Sequence, residues 1–424
     1  MLPELIEIMP VPGKISATIT VPGSKSITNR ALILAALGDG ETTLHGALWS
    51  EDTQIMVDAL LALGFPLAVT MDEAETCNRT IRVRGLGGTI PLGGSAEQPL
   101  ELFVGNAGTA ARFLAALVCL GSGVYRLHGT PRMHERPQAA LVQALRELGY
   151  RVETANDQLP ATIFGTGPRD AVCHVSIEES SQFASALLLC ARRGKWKPVL
   201  DGKANEEEEA AYVAMTRRLI DAFPQQGGNF QIECDTSSAS YFCAAKWLLR
   251  SPVEIRGYPT SDWQIDTSFQ KFLPLPKEVS RRTDLGDSIM TAAIVAPFSD
   301  GPVKLTHLER LRMQECERVA ALRTELTRCG VAVVEDGQSL TIYPASPKLH
   351  GAEIETYNDH RMAMCFAIMG LKTPGIRLKN PSCVKKTFPN FFQKLAAPPP
   401  SGLGVTILDA TTRQPLAGTQ LFAD

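Results

Sequence analysis

The feature that most constrains this chain is a short pattern that occurs six times. A small polar loop leads each time into an Ala-rich helix that is apolar on every side. The first copy, PGSKSITNRALILAALGDG, covers residues 22–40: its Pro-Gly-Ser loop supplies capping oxygens, Ala31 to Leu37 are all apolar, and Gly38 ends the run. LFVGNAGTAARFLAALVCLGSG (102–123) and IEESSQFASALLLCARRG (177–194) repeat it. CDTSSASYFCAAKWLL from Cys234, DLGDSIMTAAIVAPFSDG from Asp284 and TYNDHRMAMCFAIMG from Thr356 complete the set. A helix that is apolar all round belongs inside a core, and its recurrence marks a repeat architecture.

The helix starts carry charge of the wrong sign for an isolated helix. Lys25 and Arg30 flank the start of the first copy, Arg112 sits early in the second, and Arg361 opens the sixth. A cation there opposes the helix dipole by about 0.3–1 kcal/mol, whereas a docked anion is favoured by the dipole and the free N–H groups together. Six such starts turned toward one place predict a strong anion site. An ordinary capped core helix accounts for any single copy, but not for basic residues that recur with it.

Bulk properties narrow the classes. At 424 residues the chain has room for about two or three domains. With 44% hydrophobic and 21% charged residues it reads as a soluble globular protein, and no run approaches the ~20 apolar residues of a membrane span. A net charge of −3 argues against a nucleic-acid partner, so any anion site is a local concentration of charge. The opening MLPELIEIMP lacks the basic start and apolar core of a signal peptide. Ten cysteines lie scattered without a C-x-x-C pair, and seven histidines show no ligand spacing. The expectation is a cytoplasmic protein with reduced thiols, no metal and no cofactor.

Periodicity gives an α/β chain. Ile15, Ala17, Ile19 and Val21 alternate as a strand, residues 50–63 read as an amphipathic helix with an acidic first turn, and 80–83 as a strand. After the second copy, 125–128, 138–148 and 150–154 read as strand, helix and strand. From Lys25 to Asn106, Asn106 to Ser180 and Asp287 to Asp359 a repeat takes about 70 to 80 residues. From Ser181 to Asp235 and from Asp235 to Asp287 it takes only about 50, so the third and fourth repeats are short by about one hairpin each. The acidic run NEEEE at 205–209 reads as a solvated helix start. Residues 398–424, which open on the Pro-rich PPPSG, read as an appended linker with one strand.

Seven stretches then carry a resemblance. VPGSKSITNRALILAAL, LFVGNAGTAARFLAAL, PRMHERP, SSQF, SSASYF, ETYNDHRMAMCF and KKTFPNFFQKL resemble, in this order, the 5-enolpyruvylshikimate-3-phosphate synthases, enolpyruvyl transferases of the shikimate pathway of aromatic amino acid biosynthesis. The likeness runs from about residue 8 to 396. It implies a two-domain enolpyruvyl transferase fold of six α/β repeats, three in each domain with pseudo-threefold symmetry. Domain one would comprise 1–22 and 236–397, and domain two 23–235. It also implies transfer of the enolpyruvyl group of phosphoenolpyruvate to the 5-hydroxyl of shikimate 3-phosphate, with release of phosphate and without a metal.

The resemblance further implies site residues. Phosphoenolpyruvate falls to Lys25, Asn106, Ala107, Gly108, Arg132, Gln182, Arg318, Arg361 and Lys386, which as cations and hydrogen-bond donors suit a trianion. The acceptor falls to Ser26, Arg30, Ser180, Ser181, Gln182, Asp287 and Gln314. Lys25, Asp287 and Glu315 are the implied catalytic groups, the two carboxylates handling protons.

The acceptor side departs from the family pattern. Aligned on Tyr212, the place of a phosphate-binding serine is taken by Glu209. In RLRMQECER, Arg310 replaces the family's asparagine and Gln314 its active-site lysine, while Glu315 and Arg318 are kept. A lost charge-assisted hydrogen bond costs about 1.5–3 kcal/mol. Two alternatives therefore stand beside the leading function: a diverged transferase with another acceptor, and a catalytically silent phosphoenolpyruvate-binding paralogue.

Overall fold

The computed structural model describes residues 2–201, 209–345 and 347–423. The backbone gathers into two units: a central unit, Gly23–Glu233, and a terminal unit, Met1–Pro22 with Cys234–Asp424.

Among the described residues each unit holds three sheets. In the central unit, one sheet orders Gly228–Gln231, Glu41–Leu48, Asn78–Arg84 and Leu67–Met71, and a second orders Leu100–Phe103, Ser122–His128, Ala161–Thr166 and Arg151–Thr154. The third has two strands, Ala171–Ser176 and Trp196–Asp201. In the terminal unit the two-stranded sheet comes first, Val253–Ile255 on Ala17–Ile19. Glu278–Ser280, Val303–Thr306, Ser339–Ile342 and Val333–Asp336 form the next, and Glu353–Ile354, Ile376–Lys379, Leu5–Ile8 and Ile407–Asp409 the last. Every four-stranded sheet follows one plan: a parallel pair, then two antiparallel neighbours. The short third and fourth repeats are the two-stranded sheets, which lack the antiparallel hairpin.

The six Ala-rich helices occupy the cores, as an all-round apolar surface requires. All ten residues of Gly108–Leu117 and all eleven of His360–Gly370 are buried. In the central unit Lys25–Leu37, Gly108–Leu117 and Ser181–Gly194 pack on one another, and in the terminal unit Thr236–Leu249, Ile289–Val295 and His360–Gly370 do the same. Three mutually packed helices wrapped by three sheets give each unit its threefold repeat.

Two segments differ from the sequence reading. The Leu5–Ile8 strand has no counterpart among the expected elements, because only three of its residues are buried and it is too short to show a period. The stretch 398–424 is not a linker. Leu403, Val405, Ile407, Leu416, Leu421 and Ala423 belong to the terminal unit's core, and Ile407–Asp409 pairs with Leu5–Ile8. The one strand expected in this stretch is Ile407–Asp409; the core packing of its neighbours Leu403 and Val405 is what the preceding prolines obscure. The two chain ends thus supply the two antiparallel strands that a hairpin supplies in the other four-stranded sheets. The acidic run lies outside the described residues apart from the backbone of Glu209, which opens the Glu209–Ala222 helix; the side chain of Glu209 is likewise outside them.

Candidate active site

In the terminal unit, the structure draws six of the expected residues into one polar network. Arg318, 1% exposed, is its hub. Its guanidinium lies 2.7 Å from Asp359 Oδ2 and 2.8 Å from Glu315 Oε2, donates to Gln314 Oε1, and approaches Asp287 Oδ1 at 3.9 Å. Arg361 Nη2 sits 2.7 Å from Asp287 Oδ2, and Lys386 Nζ 3.6 Å from Glu315 Oε1. Three of these residues arrive at the starts of helices, and Lys386 at the end of a turn. Asp287 immediately precedes the Ile289–Val295 helix, Arg318 opens Arg318–Arg328, Arg361 lies in the first turn of His360–Gly370, and Lys386 ends the Pro381–Lys386 turn.

Electrostatics give the two carboxylates different settings. Burial pushes Asp287 upward, but Arg361, Arg318 and Arg281 together outweigh it and hold its pKa at about 2. Asp287 is therefore ionised at neutral pH. Burial also works against the Arg361 charge, yet Asp287 and its other anionic neighbours raise that guanidinium well above its ordinary value. Glu315, 10% exposed at its side chain, is held from both sides by Arg318 and Lys386.

Three groups that the sequence reading did not assign to the site position the network. Asp359 caps the His360–Gly370 helix by accepting from Arg361 N at 2.8 Å and also fixes Arg318. Asp266, fully buried, accepts from Gly286 N at 2.7 Å, from Ser288 Oγ and from Ser237 Oγ, tying the start of the Thr236–Leu249 helix to the loop that carries Asp287. Arg281, 2% exposed, faces Asp287 at 3.6 Å. Asp359 stands in a recognisable motif, whereas nothing in the sequence around Asp266 or Arg281 sets them apart.

In the central unit, Lys25 and Asp52 form an ion pair at 2.9 Å, with the acid 4% and the lysine 17% exposed. Ser180 caps the Ser181–Gly194 helix by accepting from Gln182 N at 3.2 Å; Ser181 is buried, and Ser26 and Gln182 are half-buried. Arg136 Nη1 donates to Asn106 O at 3.1 Å and so fixes the Asn106–Ala107–Gly108 loop. A Cβ on Gly108 would lie 2.7 Å from Arg136 Nη2 and 2.8 Å from Arg112 Nη1, so two packed guanidiniums are the reason for glycine there. Arg132, 39% exposed at its side chain, pairs with Glu135 at 2.8 Å.

Two of the cations at the helix starts are braced by the core. Arg30 is 2% exposed and donates to Thr216 Oγ1, Ser185 Oγ and Ser26 O. Burial lowers its pKa to about 10. Arg112 donates to Gly108 O and Pro137 O and lies over the Phe183 ring. An arginine in an all-apolar helix has to satisfy its N–H groups nearby, because an unpaired buried donor costs about 1–3 kcal/mol. The helix starts thus collect fewer free cations than the sequence pattern predicts. Arg310 is likewise buried, at 9% exposure.

The chain is similar to known proteins over most of its length. The profile of the EPSP synthase (3-phosphoshikimate 1-carboxyvinyltransferase) family matches residues 10–273 and 276–395. The chain is 36% identical to the 3-phosphoshikimate 1-carboxyvinyltransferase of Trichormus variabilis, with 92% of this chain and 98% of the relative covered. It is 35% identical to that of Vibrio cholerae, with 93% and 99% covered. The fold is similar to EPSP synthase from Acinetobacter baumannii, at a TM-score of 0.72 and 21% identity over 95% of this chain and 99% of that one. The enolpyruvyl transferase NikO from Streptomyces tendae is similar at a TM-score of 0.67 and 16% identity, covering 95% and 98%. The chain belongs to the EPSP synthase family.

Proposed function

We propose that this protein transfers the enolpyruvyl group of phosphoenolpyruvate to the 5-hydroxyl of shikimate 3-phosphate and releases inorganic phosphate. The observation that carries this reading is the network around Arg318, which holds two carboxylates among cations that an anionic substrate can take over. Phosphoenolpyruvate draws Arg361, Arg318 and Lys386 onto its own oxygens by charge-assisted bonds. Asp287 then loses the charges that hold its pKa down, and its proton affinity rises. Asp287 accepts the proton of the acceptor hydroxyl as that oxygen bonds to C2. Glu315, once those cations have turned to the substrate and it has taken up a proton from solvent, delivers that proton to the C3 methylene, which becomes a methyl group. In the second step C3 returns its proton to Glu315, the bond from C2 to the phosphate oxygen breaks, and the double bond re-forms. The proton on Asp287 leaves with the phosphate.

Lys25, Arg132, Gln182 and the Asn106–Gly108 loop complete the phosphoenolpyruvate contacts in this reading. Ser26, Ser180, Ser181 and Gln314 serve the acceptor, with Arg30 as the strut beneath Ser26. Ten cysteines stand outside any disulfide among the described residues, eight of them buried; they suit a reducing compartment, and the reading places the protein in the cytoplasm. The test is turnover of both substrates, followed by phosphate release and by phosphorus NMR of the product. Stoichiometric formation of the enolpyruvyl ether is expected. Phosphate release only with some other hydroxyl acceptor, or none with any, would overturn the reading.

A further inference from the structure

A cleft of about 1240 Å³ opens on the terminal unit beside Ser251 and Pro252, which lead into the Val253–Ile255 strand. That strand belongs to the one sheet of this unit without a hairpin. Trp247, Leu273, Leu275 and Phe298 line the cleft, are half-buried and pack on the core, so its floor is apolar and in part aromatic. Lys246, Arg250, Lys277 and Lys372 also line it, all exposed, and none of these four side chains has an ion-pair partner among the described residues. Asp300 is the sole acid along this lining. None of Asp287, Glu315, Arg318, Arg361 and Lys386 lines the cleft.

Four cations against one acid concentrate anions at the rim, and an aromatic floor favours a flat apolar group that displaces its water. A bare inorganic anion leaves the floor wet, and a neutral ring leaves the cations unpaired. We propose that this cleft binds a small organic anion that carries a planar apolar ring beside one or two acid groups. At about 1240 Å³ the cleft exceeds the roughly 300–1,000 Å³ of usual small-molecule sites, so it has room for a whole drug-sized molecule.

Calorimetric titration of the full chain with 2-naphthyl phosphate tests the assignment. One saturable site is expected, weakened roughly tenfold or more by Lys246→Glu with Lys277→Glu, because each reversal replaces a charge-assisted contact by repulsion. Arg250→Gln with Lys372→Gln provides a milder second pair, expected to weaken binding severalfold; unchanged melting temperatures establish that either pair folds. Inorganic phosphate and 2-naphthol, which each supply half of the ligand, are expected to bind roughly tenfold more weakly or worse. Unchanged affinity in both variant pairs places the probe elsewhere and overturns the proposal. So does equal affinity for inorganic phosphate or for 2-naphthol, since the combination of ring and charge is what is claimed.

Discussion

Asp287 keeps its charge because three guanidiniums face it, and that has a consequence for stability against pH. Its pKa falls from about 3.9 in an unfolded chain to about 2 in the folded one. A depressed carboxylate stabilises the fold above its unfolded pKa, and that contribution is lost as pH drops through the folded value. The window is therefore about pH 4 down to about 2, and a shift of this size corresponds to about 2–3 kcal/mol. Asp287→Asn removes it, so the stability gap between variant and unmodified protein in urea melts should shrink across that window. A gap that is the same at pH 6 and near pH 2.5 would detach the effect from the charge. Turnover of the variant should fall by about 10²–10⁴-fold, the usual size of a lost proton-transfer group. Gln314 gives a second residue-scale expectation. It accepts from Arg318 where the family resemblance calls for a lysine, and Gln314→Lys would set a cation against that guanidinium. Loss of the bond, about 1.5–3 kcal/mol, predicts a fall in kcat/KM of roughly tenfold or more. A rise instead would mean that the site still suits the family's lysine.

Among elements, the helix starts of the terminal unit are fastened to one another by Asp266. Its carboxylate accepts from Ser237 on one helix and from Gly286 and Ser288 ahead of another. Asp266→Ala leaves those buried donors unpaired, at about 1–3 kcal/mol for each one that cannot be rescued by water. A drop in melting temperature of about 5 °C or more is expected for a chain of this length, with Asp266→Asn closer to the unmodified protein. An Ala variant with an unchanged melt would deny Asp266 its fastening role. The elements themselves were largely legible. The Ala-rich runs have no polar face and can only be core helices, and the short spacing of the third and fourth repeats anticipates their two-stranded sheets. The site was legible only where its residues stand in local motifs, as Asp359 and Arg361 do in NDHR. Asp266 acts across long sequence separations, and its neighbours in the chain carry no trace of the partners it meets; Arg281 meets Asp287 close by in the chain, but no motif marks the pair. Arg30 and Arg112, both braced by the core, are ambiguous for a related reason. A basic residue at a helix start looks the same in sequence whether it greets a ligand or braces the core.

At the scale of the molecule, the chain's ends decide whether the terminal unit closes. Leu5–Ile8 lies between Ile376–Lys379 and Ile407–Asp409, so removing 398–424 would bare a sheet edge and uncover part of the core. Leu403, Val405, Ile407, Leu416 and Leu421 are all buried there. Full burial of such side chains is worth about 1.5–3 kcal/mol each, and together they rival the ~5–15 kcal/mol by which a typical protein is stable. A chain ending at Ala397 is therefore expected to lose the cooperative melt of the terminal unit and all turnover, while the central unit, with its own core, keeps its hydrogen-exchange protection. Point variants grade the same claim. Ile407→Ala, 1% exposed, should cost about 2–5 kcal/mol. Arg413→Ala, whose side chain is 57% exposed, should cost less than about 1 kcal/mol despite its ion pair with Glu7. If the shortened chain melts and turns over as the full one does, the final residues are the dispensable appendage that their prolines suggest.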